Sequence, residues 1–286
     1  MVLGFWTFAL CTLNLVLRTQ VVFQVLQSPK YKVQRTKFND PRPAKLMGKP
    51  LIDNFSRSFY PFLHEDQRQP EELKEHLAFS LLEKASESVE VKTRFFQENK
   101  ETIIAASLEL AKAFHRGRKL LVCGNGGSAT DAQHVAVEFM HPITVGRKAL
   151  PAICLSNDMA MVTAVANDVG FDDVFSRQII ALGSEGDVLL GISTSGNSEN
   201  LMHAFATARR MKLGTLGFAG DDGGKMVQMR AGGLIDYCLT VPTSSIHRIQ
   251  ETHVTLYHIM WDLVHEFLQH RSFVEEQAIS AADERK

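Results

Sequence analysis

Five short apolar segments, separated by segments with helical periodicity, are the feature that most constrains the fold of this chain. Each apolar segment is followed by a loop and then by apolar residues at helical spacing, which is typical of a parallel sheet with helices on both faces. The sequence therefore predicts an α/β fold: a doubly wound five-stranded parallel sheet flanked by helices, with further helices at the N-terminal side. The five segments are residues 119–123, 150–155, 187–192, 214–218 and 234–241.

Two helices are predicted ahead of the first strand, because apolar residues recur at helical spacing within residues 71–116. The last predicted helix, residues 246–270, also carries more apolar positions than one small sheet can cover. We therefore expect these helices to pack against other subunits. The apolar positions of the first two helices are Leu77, Leu81, Leu82, Ala85 and Val89, then Ile103, Ile104, Leu108, Ala111 and Phe114.

Composition indicates a globular protein with a small-molecule partner. The 286 residues are 45% hydrophobic and 22% charged, which suits one or two domains with a sizeable core. Because 31 basic and 32 acidic residues nearly cancel, no nucleic-acid partner is expected. The four cysteines, Cys11, Cys123, Cys154 and Cys238, form no CxxC motif, and three of them lie in apolar segments. This usage favours a reducing compartment, and we expect a cytoplasmic location.

The first seventy residues differ in composition and apolar periodicity from the rest of the chain. Residues 1–17 are apolar, but no basic residue precedes them and no small-x-small site follows, so they match a secretory signal poorly. They are also short for a membrane span, which needs about twenty residues. Three interpretations of these residues stay open: a weak membrane anchor, an organelle-targeting leader, and an upstream start with little effect on the fold. Membrane contact is the less favoured alternative. We predict an N-terminal extension at residues 1–70, the main domain at 71–272 and a tail at 273–286.

The first predicted strand ends in a glycine-rich loop, GNGGS, at residues 124–128. Glycines let the backbone approach a ligand closely, and the free amides of the following helix favour an anion. The loop lacks the third glycine of the dinucleotide fingerprint, and no acidic residue follows at the expected distance, which disfavours a nicotinamide site. Taken alone, a tight strand-to-helix turn explains the loop equally well.

The third predicted strand ends in a hydroxyl-rich loop, STSGNS, at residues 193–198. Its hydroxyl groups and the amides of the next helix can hold a phosphate without a lysine. A neutral loop suits the phosphate of a sugar better than a nucleoside triphosphate with its magnesium, which needs more compensating charge. The alternative is that Asn197 or Ser198 only caps the helix.

The motifs GNGGS, ANDVGFDDVFSRQ, STSGNS and RIQETH, taken together, resemble the SIS (sugar isomerase) domain family, and most of all the phosphoheptose isomerases. They fall between residues 120 and 258, and helical patterns extend the likeness over residues 71–268. The resemblance implies an SIS-type fold and an aldose-ketose isomerase that converts sedoheptulose 7-phosphate to D-glycero-D-manno-heptose 7-phosphate. It also implies a homotetramer with active sites at subunit interfaces.

The resemblance further implies a zinc ion held by His134, Glu138, Gln250 and His258. Glu138 would act as the general base and His258 as the acid, with zinc polarising the substrate oxygens. The i, i+4 spacing of His134 and Glu138 places both on one helix face, and zinc accepts such nitrogen and oxygen ligands. The implied contacts to the substrate and its phosphate are Asn125, Gly126, Gly127, Ser128, Asn167, Asp168, Ser193, Thr194, Ser195, Ser198 and Gln250.

Some features allow other interpretations. Asn167 and Asp168 can be an ordinary turn before Gly170, and His253 can be a packing or supporting residue. The phosphoheptose isomerases commonly carry an arginine just after the glutamate that matches Glu138, whereas the first arginine after Glu138 in this chain is Arg147. His247 replaces the aspartate that usually precedes their RIQE motif. These departures leave a different sugar phosphate open as substrate.

Two alternatives to an enzyme also stay open. One is a non-catalytic SIS-domain regulator that binds a sugar phosphate, such as a replication-initiator-binding protein, which lacks the acid and base at the matching positions. The other is a sugar-phosphate sensor. The presence of both Glu138 and His258 favours the enzyme.

Overall fold

The computed structural model describes residues 70–270 and 272–275. The predictions for residues 1–69 and for 276–286, and with them Cys11, lie outside these residues. No helix in the described part of the chain is apolar over a stretch long enough to cross a membrane. The helices are α1 (Pro70–His115), α2 (Gly127–Met140), α3 (Met159–Asp168), α4 (Val174–Leu182), α5 (Glu199–Arg210), α6 (Gly224–Ala231) and α7 (Ile246–Gln269). The strands are β1 (Leu120–Gly124), β2 (Ala152–Cys154), β3 (Val188–Ile192), β4 (Gly214–Gly220) and β5 (Tyr237–Val241).

All five predicted strands form, and they pair in parallel in the order β2-β1-β3-β4-β5. Chain order reverses between β1 and β3, where Leu121 is opposite Leu189. The loops that follow these two strands therefore flank the crevice in which such sheets bind ligands. The prediction of a doubly wound five-stranded parallel sheet is confirmed.

The sheet is covered on both faces because side chains alternate along each strand. In β1, Leu120 and Val122 pack into one core with α1, α2 and α7. Leu121 and Cys123 pack into a second core with α3, α4, α5 and α6. Helices α2 and α7 thus lie on the same face of the sheet and can form a site between them.

The prediction of two N-terminal helices is wrong, because residues 70–115 form the single 46-residue helix α1. The polar stretch at residues 97–102, which separates the two apolar groups, holds neither glycine nor proline, so nothing there ends the helix. The second half of α1 is packed on the sheet, where Phe95 and Ile103 are buried. The first half leaves Leu77, Phe79 and Leu82 exposed.

His253, on α7, is a packing histidine. It is 0% exposed, and its Nε2 lies 2.9 Å from the carbonyl oxygen of Ala219 at the end of β4. Burial lowers the pKa of His253 to about 4, while the hydrogen bond to Ala219 opposes part of the change. The ring is therefore neutral in the folded protein near pH 7.

We expect His253 to make the fold sensitive to acid. Because the pKa falls from 6.5 in the unfolded chain to about 4, its stabilising contribution is complete above pH 6.5 and is lost between pH 6.5 and 4. Between pH 7.5 and 5 the loss should amount to about 2 kcal/mol. Urea unfolding at both pH values measures it. In His253→Gln the difference between the two pH values should shrink by about that amount, whereas the exposed control His76→Gln should match the wild type; equal pH dependence in both variants would contradict the assignment.

Candidate active site

Helices α2 and α7 run parallel, with matching residues side by side. The Tyr257 hydroxyl lies 2.8 Å from His134 Nδ1, and Trp261 Nε1 donates to the Glu138 carbonyl oxygen at 2.8 Å, and each pair is 123 residues apart. The Gln250 amide fills the space beside Gly127, and these two residues are also 123 positions apart in the sequence. Because both helices rise equally per residue, a constant offset in sequence means that they are parallel and in register.

This pairing brings together His134, Glu138 and His258. One ligand atom from each lies within 4.8 Å of the others. His134 Nε2 is 3.1 Å from Glu138 Oε1, and the rings of His134 and His258 meet edge to face with centroids 5.0 Å apart. The side chains of His134 and Glu138 are 43% and 20% exposed, so a ligand can reach them.

Hydrogen bonds to neighbouring groups orient the two histidine rings. His258 Nδ1 lies 2.8 Å from the Val254 carbonyl oxygen, to which it donates, so Nε2 is left to bind a metal or exchange a proton. His134 Nδ1 contacts the Tyr257 hydroxyl, so its Nε2 is directed to Glu138. The cluster thus presents two imidazole nitrogens and one carboxylate, a donor set that suits zinc.

Gln250, the fourth predicted ligand, has a different neighbour in the structure. Its amide lies against Gly127, so any side chain added at Gly127 would clash with it. Gly127 is the first residue of α2 and precedes His134 by about 10 Å along the helix axis. The structure brings three of the four predicted ligands together and places Gln250 toward the glycine-rich loop.

The two predicted phosphate loops are joined across the crevice between β1 and β3. Asn125 and Asn200 exchange two amide hydrogen bonds of 2.9 Å, which tie the loop after β1 to the start of α5. The residues that precede α2 and α5, Gly126 and Ser198, make no side-chain hydrogen bond that caps the helix. The interpretation of Ser198 as a simple cap is therefore not supported, and both helix starts keep free amides for an anion.

The loop after β3 is folded around its own hydroxyl groups. Buried Ser193 Oγ accepts a hydrogen bond from the Gly196 amide at 3.1 Å and lies 3.3 Å from Ser198 Oγ. Ser195 is exposed and Thr194 is half-buried. The buried Ser128 lies on the facing side of the crevice, in the first turn of α2. Ser193 and Ser195 accept hydrogen bonds from the amides of Gly196 and Asn197, so these contacts leave their hydroxyl protons free to donate to a phosphate.

Replacing Gly196 should destabilise this loop. Gly196 has φ 64°, and an added Cβ would clash with the Gly223 carbonyl oxygen. We expect Gly196→Ala to lower the free energy of unfolding by about 2–5 kcal/mol, measured by urea unfolding. The matched control is Gly117→Ala, since Gly117 has φ 71° but no atom near the added Cβ, and it should lose only about 1–2 kcal/mol. Equal losses would show that the contact with Gly223 is unimportant.

Asn167 and Asp168 end α3, and both are exposed. Asn167 Nδ2 donates to Asp168 Oδ1 at 2.7 Å, and no hydrogen bond within the described residues links this pair to the other predicted site residues.

The two positions that depart from the family pattern are Arg147 and His247. Arg147 lies over the Trp261 ring, 4.3 Å from its centroid, and pairs with Asp262 at 2.7 Å. His247 is exposed in the first turn of α7.

Two residues beside the cluster, Asp131 and Tyr257, were not predicted from the sequence. Tyr257 is 4% exposed, and burial raises its pKa above the usual value, with the charges of Asp131 and Glu138 adding to the effect. Burial also raises the pKa of Asp131 to about 6, which the nearby His134 partly opposes. The signal for Asp131 was its position three residues before His134, on the same helix face.

Comparisons with known proteins agree with this geometry. Residues 85–220 match the SIS domain family. A phosphoheptose isomerase of Nitratidesulfovibrio vulgaris is 43% identical over 188 residues, which cover 66% of this chain and 88% of the relative. The chain belongs to the phosphoheptose isomerase family. A second phosphoheptose isomerase, from Thermodesulfovibrio yellowstonii, is 44% identical over 182 residues, which cover 64% of this chain and 88% of the relative.

Solved phosphoheptose isomerases share the fold. The protein from Neisseria gonorrhoeae is 38% identical, with a TM-score of 0.60 over 67% of this chain and 98% of its own. The protein from Francisella tularensis is 32% identical, with a TM-score of 0.62 over 66% of this chain and 98% of its own. The resemblance predicted from four short motifs is therefore confirmed, and with it the class of the enzyme, an isomerase.

Proposed function

We propose that this member of the phosphoheptose isomerase family interconverts sedoheptulose 7-phosphate and D-glycero-D-manno-heptose 7-phosphate. The observation that carries the proposal is the meeting of Glu138 and His258, with His134, within 4.8 Å at the α2–α7 interface. A carboxylate and an imidazole at this separation can act on adjacent carbon and oxygen atoms of one sugar. The names of the matching proteins support the choice of a heptose phosphate.

In the proposed reaction Glu138 transfers one proton from C1 to C2 of the sugar. His258 donates one proton to O2 and takes one back from O1. Glu138 takes a proton from C1 of the ketose while His258 donates one to O2, which gives an enediol. The O1 proton then passes to His258, and Glu138 delivers its proton to C2, which leaves an aldehyde at C1. Both groups return to their starting states. Since His258 Nδ1 is held by the Val254 carbonyl oxygen, Nε2 is the atom that exchanges protons.

The donor set of the cluster fits a zinc ion, which we propose as the cofactor. His134 Nε2, a Glu138 oxygen and His258 Nε2 would hold it, with Gln250 as a fourth ligand if its amide turns from Gly127. When bound, zinc would polarise the carbonyl and hydroxyl oxygens of the substrate. A carboxylate oxygen cannot hold a metal and accept a proton at the same time, and the same is true of His258 Nε2, the one free nitrogen of its ring. One of the two roles of Glu138, and one of the two roles of His258, therefore has to relax during turnover.

The phosphate would lie at the free helix starts beyond β1 and β3, among Ser128, Ser193, Thr194, Ser195 and Ser198. Asn125, Gly126 and Gly127 would line the backbone side of this pocket. The start of α2 and His134 are separated by about 10 Å along the helix axis. A sugar that reacts at C1 and C2 and carries its phosphate at C7 can bridge the two places. We also propose contacts to the substrate from Asn167 and Asp168.

We propose a homo-oligomer, a tetramer as the resemblance implies. Support comes from five apolar residues on the first half of α1 that are 57% to 68% exposed, since such patches mark interfaces. Sedimentation equilibrium tests the assembly. The five exposed residues are Leu77, Phe79, Leu81, Leu82 and Val89.

A cytoplasmic location is likewise proposed, with support from three buried free thiols.

The test of the function is turnover by the purified chain, after metal removal and again after zinc addition. We expect sedoheptulose 7-phosphate to yield the aldose by proton NMR, with activity lost on chelation and restored by zinc. Fructose 6-phosphate serves as a comparison substrate for specificity. Binding of the heptose phosphate without turnover, in the presence of zinc, would reject the isomerase and favour the regulator or sensor.

A further inference from the structure

Tyr257 packs against both histidines of the cluster, and a nearby carboxylate, that of Asp131, has no role in the mechanism above. Its hydroxyl contacts His134 Nδ1 at 2.8 Å, and its ring packs against His258 with centroids 4.6 Å apart. Asp131 lies one helical turn before His134 and is 9% exposed. Its Oδ2 atom is buried and has no hydrogen-bond partner among the described residues. A buried carboxylate oxygen without a donor is costly, so this atom needs an explanation.

The hydrogen bonds in the structure correspond to one tautomer of His134. Its Nε2 lies 3.1 Å from the Glu138 carboxylate, an acceptor, so the ring proton is on Nε2. Nδ1 then has a lone pair and accepts the hydrogen bond of the Tyr257 hydroxyl. In this state no donor among the described residues, the Tyr257 hydroxyl included, makes a hydrogen bond to Asp131 Oδ2.

Metal binding requires the other tautomer. A metal on His134 Nε2 uses the lone pair of that atom, so the ring proton must move to Nδ1. Nδ1 then donates to the Tyr257 oxygen, and the hydroxyl proton of Tyr257 has to turn to another acceptor. Asp131, one helical turn before His134 and with an unused buried oxygen, is the candidate acceptor, and its hydrogen bond with Tyr257 would form only when metal binds.

We propose that Asp131 is a positioning residue, whose carboxylate accepts the Tyr257 hydroxyl and thereby fixes His134 in the tautomer that binds metal at Nε2. The inference rests on the proposed zinc cofactor and extends it to two residues that do not touch the metal. In metal sites, supporting partners of this kind change affinity by about 10- to 100-fold.

The test measures zinc affinity by competition with a chromophoric chelator, using the full chain stripped of metal. Tyr257→Phe and Asp131→Ala should each weaken zinc binding by about 10- to 100-fold. In the double variant the affinity should equal that of Tyr257→Phe alone, because Asp131 acts only through Tyr257. Asp131→Asn, which keeps an acceptor oxygen, should stay within a few-fold of the wild type. The control Tyr237→Phe, on β5, should bind zinc normally.

Three outcomes would overturn the inference. If the effects of Tyr257→Phe and Asp131→Ala multiply, Asp131 acts independently of Tyr257. If Asp131→Asn weakens zinc as much as Asp131→Ala, the charge matters rather than the acceptor. If the wild type binds no zinc, the inference fails together with the proposed zinc cofactor. The proposed isomerase activity is tested separately, by measuring turnover of sedoheptulose 7-phosphate with the same preparation. The visible spectrum of the cobalt-substituted chain shows whether the ligands themselves are unchanged in each variant.

Discussion

Replacing Glu138 with glutamine is expected to lower kcat for sedoheptulose 7-phosphate by roughly 10²- to 10⁴-fold. Glutamine fills nearly the same volume but cannot accept the C1 proton, so the proton transfer loses its base. Exchange of the C1 protons with deuterated solvent, followed by NMR, should fall by the same factor. If the two proposed phosphate loops supply most of the substrate affinity, the affinity for the heptose phosphate should change much less.

The matched control for this change is Glu266→Gln. Glu266, on α7, is 62% exposed and pairs with His270, away from the cluster. It should keep wild-type kcat. If Glu138→Gln retained exchange at the wild-type rate, another group would be the base, and the proposed role of Glu138 would be wrong.

Replacing His258 with glutamine is expected to lower kcat to a similar extent, roughly 10²- to 10⁴-fold. Glutamine cannot carry a proton between O2 and O1 of the sugar, and it is a weaker metal ligand than imidazole. The two causes are separated by measuring kcat at increasing zinc concentration. We expect kcat to stay low when the metal site is saturated, because the lost proton carrier is not restored by zinc.

His270→Gln is the control for the second variant, since His270 is 67% exposed and lies at the end of α7. It should behave like the wild type. Recovery of wild-type kcat by His258→Gln at high zinc would mean that His258 serves only as a metal ligand. The acid would then have to be sought among the other groups around the cluster, with Tyr257 as the first candidate.

Much of the fold followed from local sequence patterns. The five apolar segments predicted the strands, and the loops at residues 124–128 and 193–198 could be placed at the carboxyl ends of β1 and β3. Local patterns failed for α1, where the polar residues 97–102 suggested a break between two helices. These residues favour helix, and packing of the second half of α1 on the sheet supports one continuous element.

The site was predicted in part. The i, i+4 spacing of His134 and Glu138 placed them on one helix face without knowledge of the fold, and family resemblance added His258. The same resemblance added Gln250, which the structure places beside Gly127. Tyr257 was not predicted, because a tyrosine before a histidine carries no distinctive pattern of its own. Asp131 could have been found from its position one helical turn before His134, on the same face of α2.

The sequence by itself determined the order of the strands, the position of the two loops proposed to bind the phosphate, and the residues that share a face of α2. Periodicity and turn residues act over a few positions, so they specify such local features. Only the tertiary structure decided that α2 and α7 are parallel and in register, with His134 beside Tyr257 and near His258. Contacts between residues more than a hundred positions apart depend on how the two helices pack on one face of the sheet. For that reason the residues proposed as metal ligands, acid and base meet only in the folded chain.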